Sequence, residues 1–330
     1  MFHVIVNPSS SSGRGKSRWD KIESRFKQSG VSYKVHYSSP TNPIEKICEK
    51  LTGTGEECNL VVLGGDGTMN AVVNGIRDFE HTKVGFIQIG SGNDLMKGLG
   101  FDKKVDVLTD SILKGEVKRV CDIGRVTFYN RSSLLDPFTH KPVVPVREED
   151  RGAGTAPATR LFNISAGIGF DAAVCERADS SAFKTVLNKL RMGKLIYIAE
   201  AIHMILASPM VDMRITCDGE ETLRPKTLFA VVMNTCYEGG GFKFCPDAVS
   251  DDGILDLFGA NDLHRMNFFR IFPTAYDGSH LRFKGLFTGR GKSITIKSAV
   301  PLWIHTDGEV LCKSSHITVD LCPHKLQLMV

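Results

Sequence analysis

The chain contains 330 residues, of which 42% are hydrophobic and 24% are charged. This length and composition predict a globular protein with a sizeable core, divided into two domains. A formal net charge of only +4 argues against a dedicated nucleic-acid-binding protein, because such proteins carry a much stronger basic field. The N-terminus has no signal-peptide pattern and the nine cysteines form no C-x-x-C pair, so we expect a cytoplasmic protein with reduced thiols.

The first 124 residues alternate predicted strands with predicted helices. Strands are expected over residues 2–7, 31–38, 60–63 and 83–89, and helices over 16–29, 43–51 and 106–114, with two more beginning near 70 and 95. Strands that alternate with helices indicate βαβ units and a mainly parallel sheet. We therefore predict an α/β domain over residues 1–124.

After residue 124 the pattern changes to short β-rich runs. Strands are expected over 123–129, 160–166, 211–217, 227–234, 254–259, 293–298, 302–305 and 316–320, with one long amphipathic helix over 183–206. Such runs are typical of an antiparallel sandwich. Residues 130–157 are polar and rich in Pro, Arg, Glu and Gly, and are predicted to form a surface loop inserted near the start of this domain.

The most informative stretch is LVVLGGDGTMN, residues 60–70. An apolar run ends in three glycines around Asp66, followed by the hydroxyl of Thr68 and the amide of Asn70. Glycines let a bulky anion approach backbone N–H groups, and open α/β sheets bind ligands where such loops follow the carboxyl end of a strand. We predict a nucleotide phosphate site here, in which Asp66 holds a divalent cation or a proton.

Two other loops of the α/β domain have related patterns. Residues 7–17, NPSSSSGRGKS, nearly match the Walker A motif, with Ser10 in place of its first glycine. Lys16 would attract a phosphate there, but an ordinary strand–helix loop explains the stretch equally well. Residues 90–94, GSGND, would by themselves be a cap for the helix that follows. Two such loops after neighbouring strands favour a shared cleft.

Four segments of the second domain have structural interpretations. Residues 167–172, GIGFDA, fit the dinucleotide fingerprint without its βαβ frame, so a tight turn is favoured. Residues 251–253, DDG, suit a turn and a Mg²⁺ or Ca²⁺ site at Asp252 equally. Residues 303–309, WIHTDGE, are better explained as a surface hairpin. The Phe- and Arg-rich segment 265–297 is predicted as a half-buried sheet face, with contact to anionic lipid headgroups as the alternative.

In this order, the motifs resemble those of the diacylglycerol kinase catalytic-domain family, which includes bacterial soluble lipid kinases and the sphingosine and ceramide kinases. The resemblance covers nearly the whole chain. It rests on Asn7-Pro8 with the Ser/Gly loop, Gly64 to Asn70, Gly90 to Asp94, Phe162-Asn163 with Gly167 to Asp171, Pro246 with Asp252-Gly253, and Asp307-Gly308-Glu309. The glycine–Asp–glycine loop is shared with NAD kinases and phosphofructokinases, whereas the second and last motifs narrow the resemblance to the lipid kinases.

The resemblance implies an NAD kinase/diacylglycerol kinase-like α/β domain of residues 1–124 with 318–330, and a β-rich antiparallel sandwich of residues 125–317 that binds lipid. ATP would lie between them. The implied ATP-binding residues are Asn7, Lys16, Ser38, Gly64, Gly65, Gly67, Thr68, Asn70, Ser91 and Asn93. Catalysis is assigned to Glu309 as the general base, with Asp66 and Asp307. A structural Mg²⁺ is expected at Asp252, with the carbonyls of Val249 and Ile254.

The implied function is the transfer of phosphate from ATP, with Mg²⁺, to a hydroxyl of diacylglycerol or a related lipid, in lipid metabolism such as phospholipid biosynthesis. The lipid would be met by transient, peripheral association with a membrane surface. No nucleic-acid partner is expected, and an exposed edge strand would allow a homodimer. The chain departs from the family at Ala71, where many members have Glu, and at Ser91, where Thr is commoner.

Two alternatives stay open at this point. An NAD kinase would have an apolar pair after Thr68, where Met69-Asn70 stand in this chain. A catalytically silent nucleotide- or lipid-binding protein would explain the absence of Glu at position 71. ATP binding and turnover, measured in one preparation, would separate the silent protein from the lipid kinase, because binding without turnover on any lipid favours the silent protein.

Overall fold

The computed structural model describes residues 1–133, 158–180 and 203–330. Most of the predicted insertion at 130–157 and of the predicted helix over 183–206 lies outside these residues, although residues 203–207 are helical. Among the described residues, no helix combines the length and the apolarity that crossing a membrane requires.

The first part of the chain alternates strands and helices, as predicted. Its strands are β1 (Phe2–Val6), β2 (Tyr33–Tyr37), β3 (Cys58–Gly64) and β4 (Thr82–Gln88). Its helices are α1 (Ser10–Gly13), α2 (Gly15–Ser29), α3 (Ile44–Thr52), α4 (Asp66–Gly75), α5 (Asp94–Gly98) and α6 (Val105–Ile112). β3 and β4 are apolar and buried along almost their whole length, which is typical of strands covered on both faces.

The four strands of this first part are parallel and lie in the order β2, β1, β3, β4. At their carboxyl ends, Val6 pairs with Tyr37 on one side and Leu63 on the other, and Gly64 pairs with Gln88. The strands therefore end at one common edge of the sheet. The loops that follow them lie side by side, where open α/β sheets bind their ligands.

The second part of the chain is β-rich. Its strands are β5 (Arg119–Tyr129), β6 (Ala158–Phe162), β7 (Ser165–Gly169), β8 (Val211–Cys217), β9 (Glu220–Met233), β10 (Leu255–Asn261), β11 (Leu286–Gly291), β12 (Ser293–Thr306) and β13 (Glu309–Met329). Helices α7 (Phe170–Ser180) and α8 (Arg265–Ile271) accompany them, with 3₁₀ turns at Phe272–Ala275 and Ser279–Arg282. The pairings among these strands are antiparallel, as expected.

The C-terminal strand β13 joins the two parts. Its first half pairs with β12, and its residues 327–329 pair in parallel with residues 83–85 of β4. Leu328 and Met329 are fully buried in the core of the first part. The described strands thus form one hydrogen-bonded network whose main path is β11-β10-β9-β7-β12-β13-β4-β3-β1-β2. The domain boundaries at residues 124 and 318 stay a prediction.

Several elements differ from the sequence prediction. The strand predicted over 160–166 is two strands, β6 and β7, separated by Asn163 and Ile164. Helix α4 begins at Asp66 rather than near residue 70, so the glycine loop continues directly into the first helical turn. The strands predicted over 293–298 and 302–305 are one strand, β12, whose register shifts next to Pro301, a residue without an N–H to donate. The segment that begins at residue 265 starts as α8 and 3₁₀ turns instead of a sheet face, and Phe268 is buried on that helix.

We predict that Leu328→Ala lowers the free energy of unfolding by about 2–5 kcal/mol, because it removes a fully buried side chain and leaves a cavity. Urea denaturation measures the loss. Leu223→Ala is the control: this leucine is 54% exposed, and its truncation should cost less than about 0.5 kcal/mol. Equally small losses of stability in both variants would show that the pairing of β13 with β4 contributes little to the core.

Candidate active site

Four loops follow the aligned ends of the parallel strands. Asn7 comes directly after β1, Ser38 after β2, Gly65 after β3, and Gly90 shortly after β4. Backbone bonds tie the loops to their neighbours: the N–H of Ser38 donates to the carbonyl of Val6 (3.1 Å), and that of Asn7 to the carbonyl of Leu63 (3.3 Å). Predicted nucleotide-binding residues from separate motifs therefore lie along one edge.

The two glycine loops touch through their backbones. A Cβ built on Gly90 would lie 2.8 Å from the Cα of Gly65, and one built on Gly65 would lie 3.3 Å from the Cα of Gly90. The N–H of Ile89 also donates to the carbonyl of Gly64 (2.8 Å). Contacts as short as the first are not available to residues with a side chain, so glycine is required for the loops to approach this closely.

The loop after β1 is joined to the glycine loop through Thr68. Asn7 Nδ2 donates to Thr68 Oγ1 (3.1 Å), and Ser10 Oγ lies 3.4 Å from the same oxygen. A Cβ on Gly64 would overlap the Thr68 side chain, so the absence of a side chain there makes room for the threonine. Lys16 lies exposed in the first turn of α2. This part of the site presents hydroxyls and amides.

Asp66, the first residue of α4, is directed at the neighbouring loop. Its Oδ2 accepts the N–H of Asp94 (3.1 Å) and its Oδ1 accepts the N–H of Leu95 (3.3 Å), so it caps α5. Asn93 occupies the N-cap position itself, in a left-handed conformation (φ +58°), and its side chain makes no capping bond. The sequence analysis expected a cap for this helix within residues 90–94, whereas the structure supplies it from Asp66 at the start of α4.

The surroundings of Asp66 favour its protonated form. Burial, aided by the charge of Asp94, raises the pKa of Asp66 to about 6, although the two backbone hydrogen bonds act in the opposite direction. A Cβ built on Gly92 would lie 3.2 Å from Asp66 Oδ2 and 3.4 Å from Asp94 Oδ2. Two carboxylates that converge in this way are oxygen donors of the kind that Mg²⁺ prefers, and a bound cation would relieve their repulsion. In donor type these residues fit the predicted cation, but Lys97 Nζ already lies 3.8 Å from Asp94 Oδ1, so the cation at Asp66 stays a prediction.

Glu309 is brought to the glycine loop by a hairpin. β12 and β13 are connected by the two residues Asp307 (φ +50°) and Gly308 (φ +84°), a loop length and conformation typical of a tight β-hairpin. Glu309 follows this turn, and a Cβ built on Gly67 would overlap its carboxylate. The hairpin favoured by the residues alone is therefore present, and it places Glu309 beside the residue that follows Asp66.

Asp307 holds the hairpin against two other segments. Its Oδ1 accepts the N–H groups of Ile164 (2.8 Å) and Ser165 (3.1 Å), and its Oδ2 accepts the N–H of Asn163 (2.9 Å) and the Nδ2 of Asn70 (2.8 Å). These bonds occupy both carboxylate oxygens. The contacts favour a positioning role for Asp307, and its predicted catalytic role stays a prediction.

Asn70 connects the same region to β6. Its Nδ2 donates to Asp307 and lies 3.2 Å from the carbonyl of Leu161, while its Oδ1 accepts a bond from Arg160 Nη2 (3.0 Å). Arg160 also forms an ion pair with Glu45 (2.7 Å). The fully buried amide is thus occupied with protein groups, so these contacts favour a structural role over the predicted contact with a nucleotide.

A buried charged cluster lies directly behind the hairpin turn. The side chain of His305 is completely buried; its Nε2 lies 3.1 Å from Asp171 Oδ2 and 3.2 Å from Glu238 Oε1, and its Nδ1 accepts the N–H of Gly308 (3.1 Å). Burial raises the pKa of Glu238 to about 7. Burial lowers the pKa of His305, but the two carboxylates outweigh it and raise the value to about 9. The sequence analysis did not predict this cluster, because its members are far apart in the chain.

Asp252 lies in an ion-pair network. Its Oδ2 accepts a bond from Arg290 Nη2 (2.8 Å), and its Oδ1 accepts the N–H of Ile254 (3.0 Å). Arg290 also contacts Asp256 through Nε (2.8 Å). A guanidinium bound at these carboxylates would repel a divalent cation. These contacts disfavour a divalent cation at the Asp252 carboxylate, and the structural Mg²⁺ expected there with the carbonyls of Val249 and Ile254 stays a prediction.

Comparisons with known proteins agree with this architecture. Residues 1–126 match the family described as "Diacylglycerol kinase catalytic domain", and residues 164–330 match "YegS C-terminal NAD kinase beta sandwich-like domain". A diacylglycerol kinase of Mycobacterium tuberculosis is 24% identical over 314 residues, which are 94% of this chain and 88% of the relative. These matches cover both the α/β part and the β-rich part.

Solved structures share the fold at low sequence identity. A diacylglycerol kinase from Bacillus anthracis superposes with a TM-score of 0.65 at 18% identity, covering 99% of this chain and 96% of the other. Yeast NADH kinase in complex with NADH superposes with a TM-score of 0.53 at 10% identity, covering 100% and 83%. The predicted fold class, an α/β domain followed by a β-rich antiparallel sandwich, is confirmed.

We predict that Asn70→Ala lowers the free energy of unfolding by about 2–3 kcal/mol, because it leaves buried partners such as Asp307 and Arg160 short of a hydrogen bond. Urea denaturation checks the value. Asn267→Ala, an exposed asparagine on α8, is the matched control and should change stability by less than about 0.5 kcal/mol. A loss no larger than that of the control would contradict the structural role of Asn70.

Proposed function

Because the chain belongs to the diacylglycerol kinase catalytic-domain family, we propose that it is a lipid kinase that transfers the γ-phosphate of ATP to a hydroxyl of diacylglycerol or a related lipid. Family membership supports a kinase with ATP as the phosphate donor. The observation that carries the proposal for the site is the contact of the Glu309 carboxylate with Gly67, directly after Asp66 in the glycine loop.

The glycine loops would bind the phosphates of ATP through backbone N–H groups. Helix α4 starts after Gly65, which has no side chain to cap it, so its first N–H groups suit an anion. Asn7 from the adjacent loop and Thr68 from the first turn of α4 would contact the same phosphates, and Lys16, Ser38 and Ser91 are further candidates. Phosphoryl transfer requires mainly positioning and charge neutralisation. When bound, Mg²⁺ would neutralise phosphate oxygens, and Asp66 would hold it.

Glu309 would accept the proton of the lipid hydroxyl as a general base. A carboxylate can do this only if it reaches the hydroxyl while that oxygen faces the terminal phosphate. The hairpin turn supports such an arrangement, because it fixes Glu309 at the first turn of α4, where we place the phosphates. Asp307 would contribute by holding the turn in place.

The lipid would approach from the side of α8. The N–H of Gly240 donates to Asp94 Oδ2 (2.6 Å), and a Cβ on the next residue, Gly241, would lie 3.7 Å from the ring of Tyr276. Tyr276 and Met266 are 55% and 60% exposed, and the exposed Arg270 follows Met266 by about one turn on α8. An exposed apolar and basic surface beside the site suits transient contact with anionic lipid headgroups. The predicted homodimer stays a prediction, for which the edge strand β2 is available among the described strands.

We predict that Glu309→Gln lowers kcat for lipid phosphorylation by about 10²–10⁴-fold, the usual contribution of a general base, and leaves ATP affinity unchanged. Labelled ATP with mixed micelles of diacylglycerol and other lipids, read by mass spectrometry, measures the activity. Glu220→Gln, at an exposed glutamate of β9, is the control. ATP binding without turnover on any lipid in the wild type would instead favour a silent binding protein.

We predict that Gly67→Ala impairs phosphorylation because the new methyl group displaces the Glu309 carboxylate. Stability should change by less than about 1 kcal/mol, since the displaced group ends a flexible side chain and alanine favours a helix. Activity and urea denaturation are compared in a double-mutant cycle with Glu309→Gln. Once Glu309 is already replaced, Gly67→Ala should cost little more. Fully additive losses would contradict the contact.

A further inference from the structure

The buried cluster behind the hairpin has a defined hydrogen-bond direction. An amide N–H can only donate, so the 3.1 Å contact from Gly308 requires that His305 Nδ1 carries no proton. The ring proton then lies on Nε2, which is directed at Asp171 Oδ2 with Glu238 Oε1 close by. Both ring nitrogens therefore have a partner, and the ring is held at both ends.

Glycine at position 167 makes this arrangement sterically allowed. In the sheet, Gly167 of β7 pairs directly with His305 of β12. A Cβ built on Gly167 would overlap both Asp171 Oδ2 and His305 Nε2. The GIGFDA segment therefore contributes two features. Gly167 leaves room for the imidazole of His305, and Asp171 provides the carboxylate that His305 Nε2 contacts.

We propose that His305 is a positioning residue for the turn that carries Glu309, and that Asp171 and Glu238 orient it. The proposal rests on the proposed function, because it assigns the catalytic proton transfer to Glu309. One end of the ring binds the N–H of Gly308, which directly precedes Glu309, and the other end is fixed to α7 through Asp171. A rotation of the ring would release the turn, and a displacement of about 1 Å at a reacting group can cost 10²-fold in rate.

The same three side chains have the composition of a metal site, but the tautomer argues against one. A metal bound with the two carboxylates would need a lone pair on Nε2, while Nδ1 already uses its lone pair to accept the Gly308 N–H. The imidazole would then have to lose both protons. A hydrogen-bonded arrangement satisfies both nitrogens with Nδ1 unprotonated. The two carboxylates raise the pKa of His305 and so favour a second ring proton, but that proton on Nδ1 would break the bond from Gly308, and the geometry therefore favours the neutral ring.

Two substitutions of His305 distinguish the role of Nδ1 from that of Nε2. His305→Asn keeps an oxygen near the position of Nδ1 and so preserves an acceptor for Gly308, whereas His305→Gln reaches toward Asp171 and loses that acceptor. We expect kcat to fall less than about 5-fold in His305→Asn and about 10- to 100-fold in His305→Gln, with KM for ATP within about 3-fold of wild type in both. His324→Gln, at an exposed histidine of β13, is the control.

Hydrogen–deuterium exchange of the peptide over residues 304–313 tests the turn without relying on activity. Exchange at the turn should be faster in His305→Gln than in wild type and close to wild type in His305→Asn. If wild-type protein phosphorylates no lipid while exchange follows this order, the proposed function fails and the control of the turn by His305 stands.

Three results would overturn the proposal. The first is equal exchange in all variants, and the second is a kcat in His305→Gln as high as in His305→Asn. The third is one equivalent of a transition metal in purified wild-type protein that is absent from both His305 variants, measured by elemental analysis. That result would assign Nε2 to a ligand role instead.

Discussion

The position of the candidate catalytic carboxylate depends on the hydrogen bonds of Asp307. Its two oxygens accept three consecutive backbone N–H groups, from Asn163 to Ser165, and the side chain of Asn70. Hydrogen bonds to a charged group are each worth about 1.5–3 kcal/mol. They join the hairpin, α4 and the connection between β6 and β7, so they hold the backbone of Glu309 beside the first turn of α4.

Buried carboxylates with raised pKa values are concentrated around the same hairpin. The pKa values of Asp66 and Glu238 are raised to about 6 and about 7, mainly by burial, and further carboxylates lie close to both. Burying acids in this way costs stability, and natural proteins retain such arrangements chiefly where they bind or react. A bound cation would offset the negative charge of these carboxylates, and the phosphates that accompany it would accept hydrogen bonds from the N–H groups of the loops.

Much of the fold was predictable because its signals are local. Apolar runs that end in glycine predicted β3 and the loop after it, and alternation of strands and helices predicted the parallel sheet. The start of α4 was missed because its first turn, Asp66 to Thr68, has the composition of a loop and is stabilised by tertiary contacts. β12 was divided in the prediction because the interruption at Pro301 resembles a strand end, although pairing continues on both sides of it. The type of α8 was missed because its Phe and Arg residues suit a sheet face as well as a helix.

The sequence by itself determined which residues form the loops, because glycine, Asp and hydroxyl residues after an apolar strand have conformational and chemical properties of their own. It did not determine which of these residues meet. Glu309 and Gly67 are brought together by the path of β13 through both parts of the sheet, and His305, Asp171 and Glu238 by pairing between distant strands. Such contacts depend on strand register and on the space that Gly67 and Gly167 leave for the side chains of other segments, and these are properties of the packed sheet.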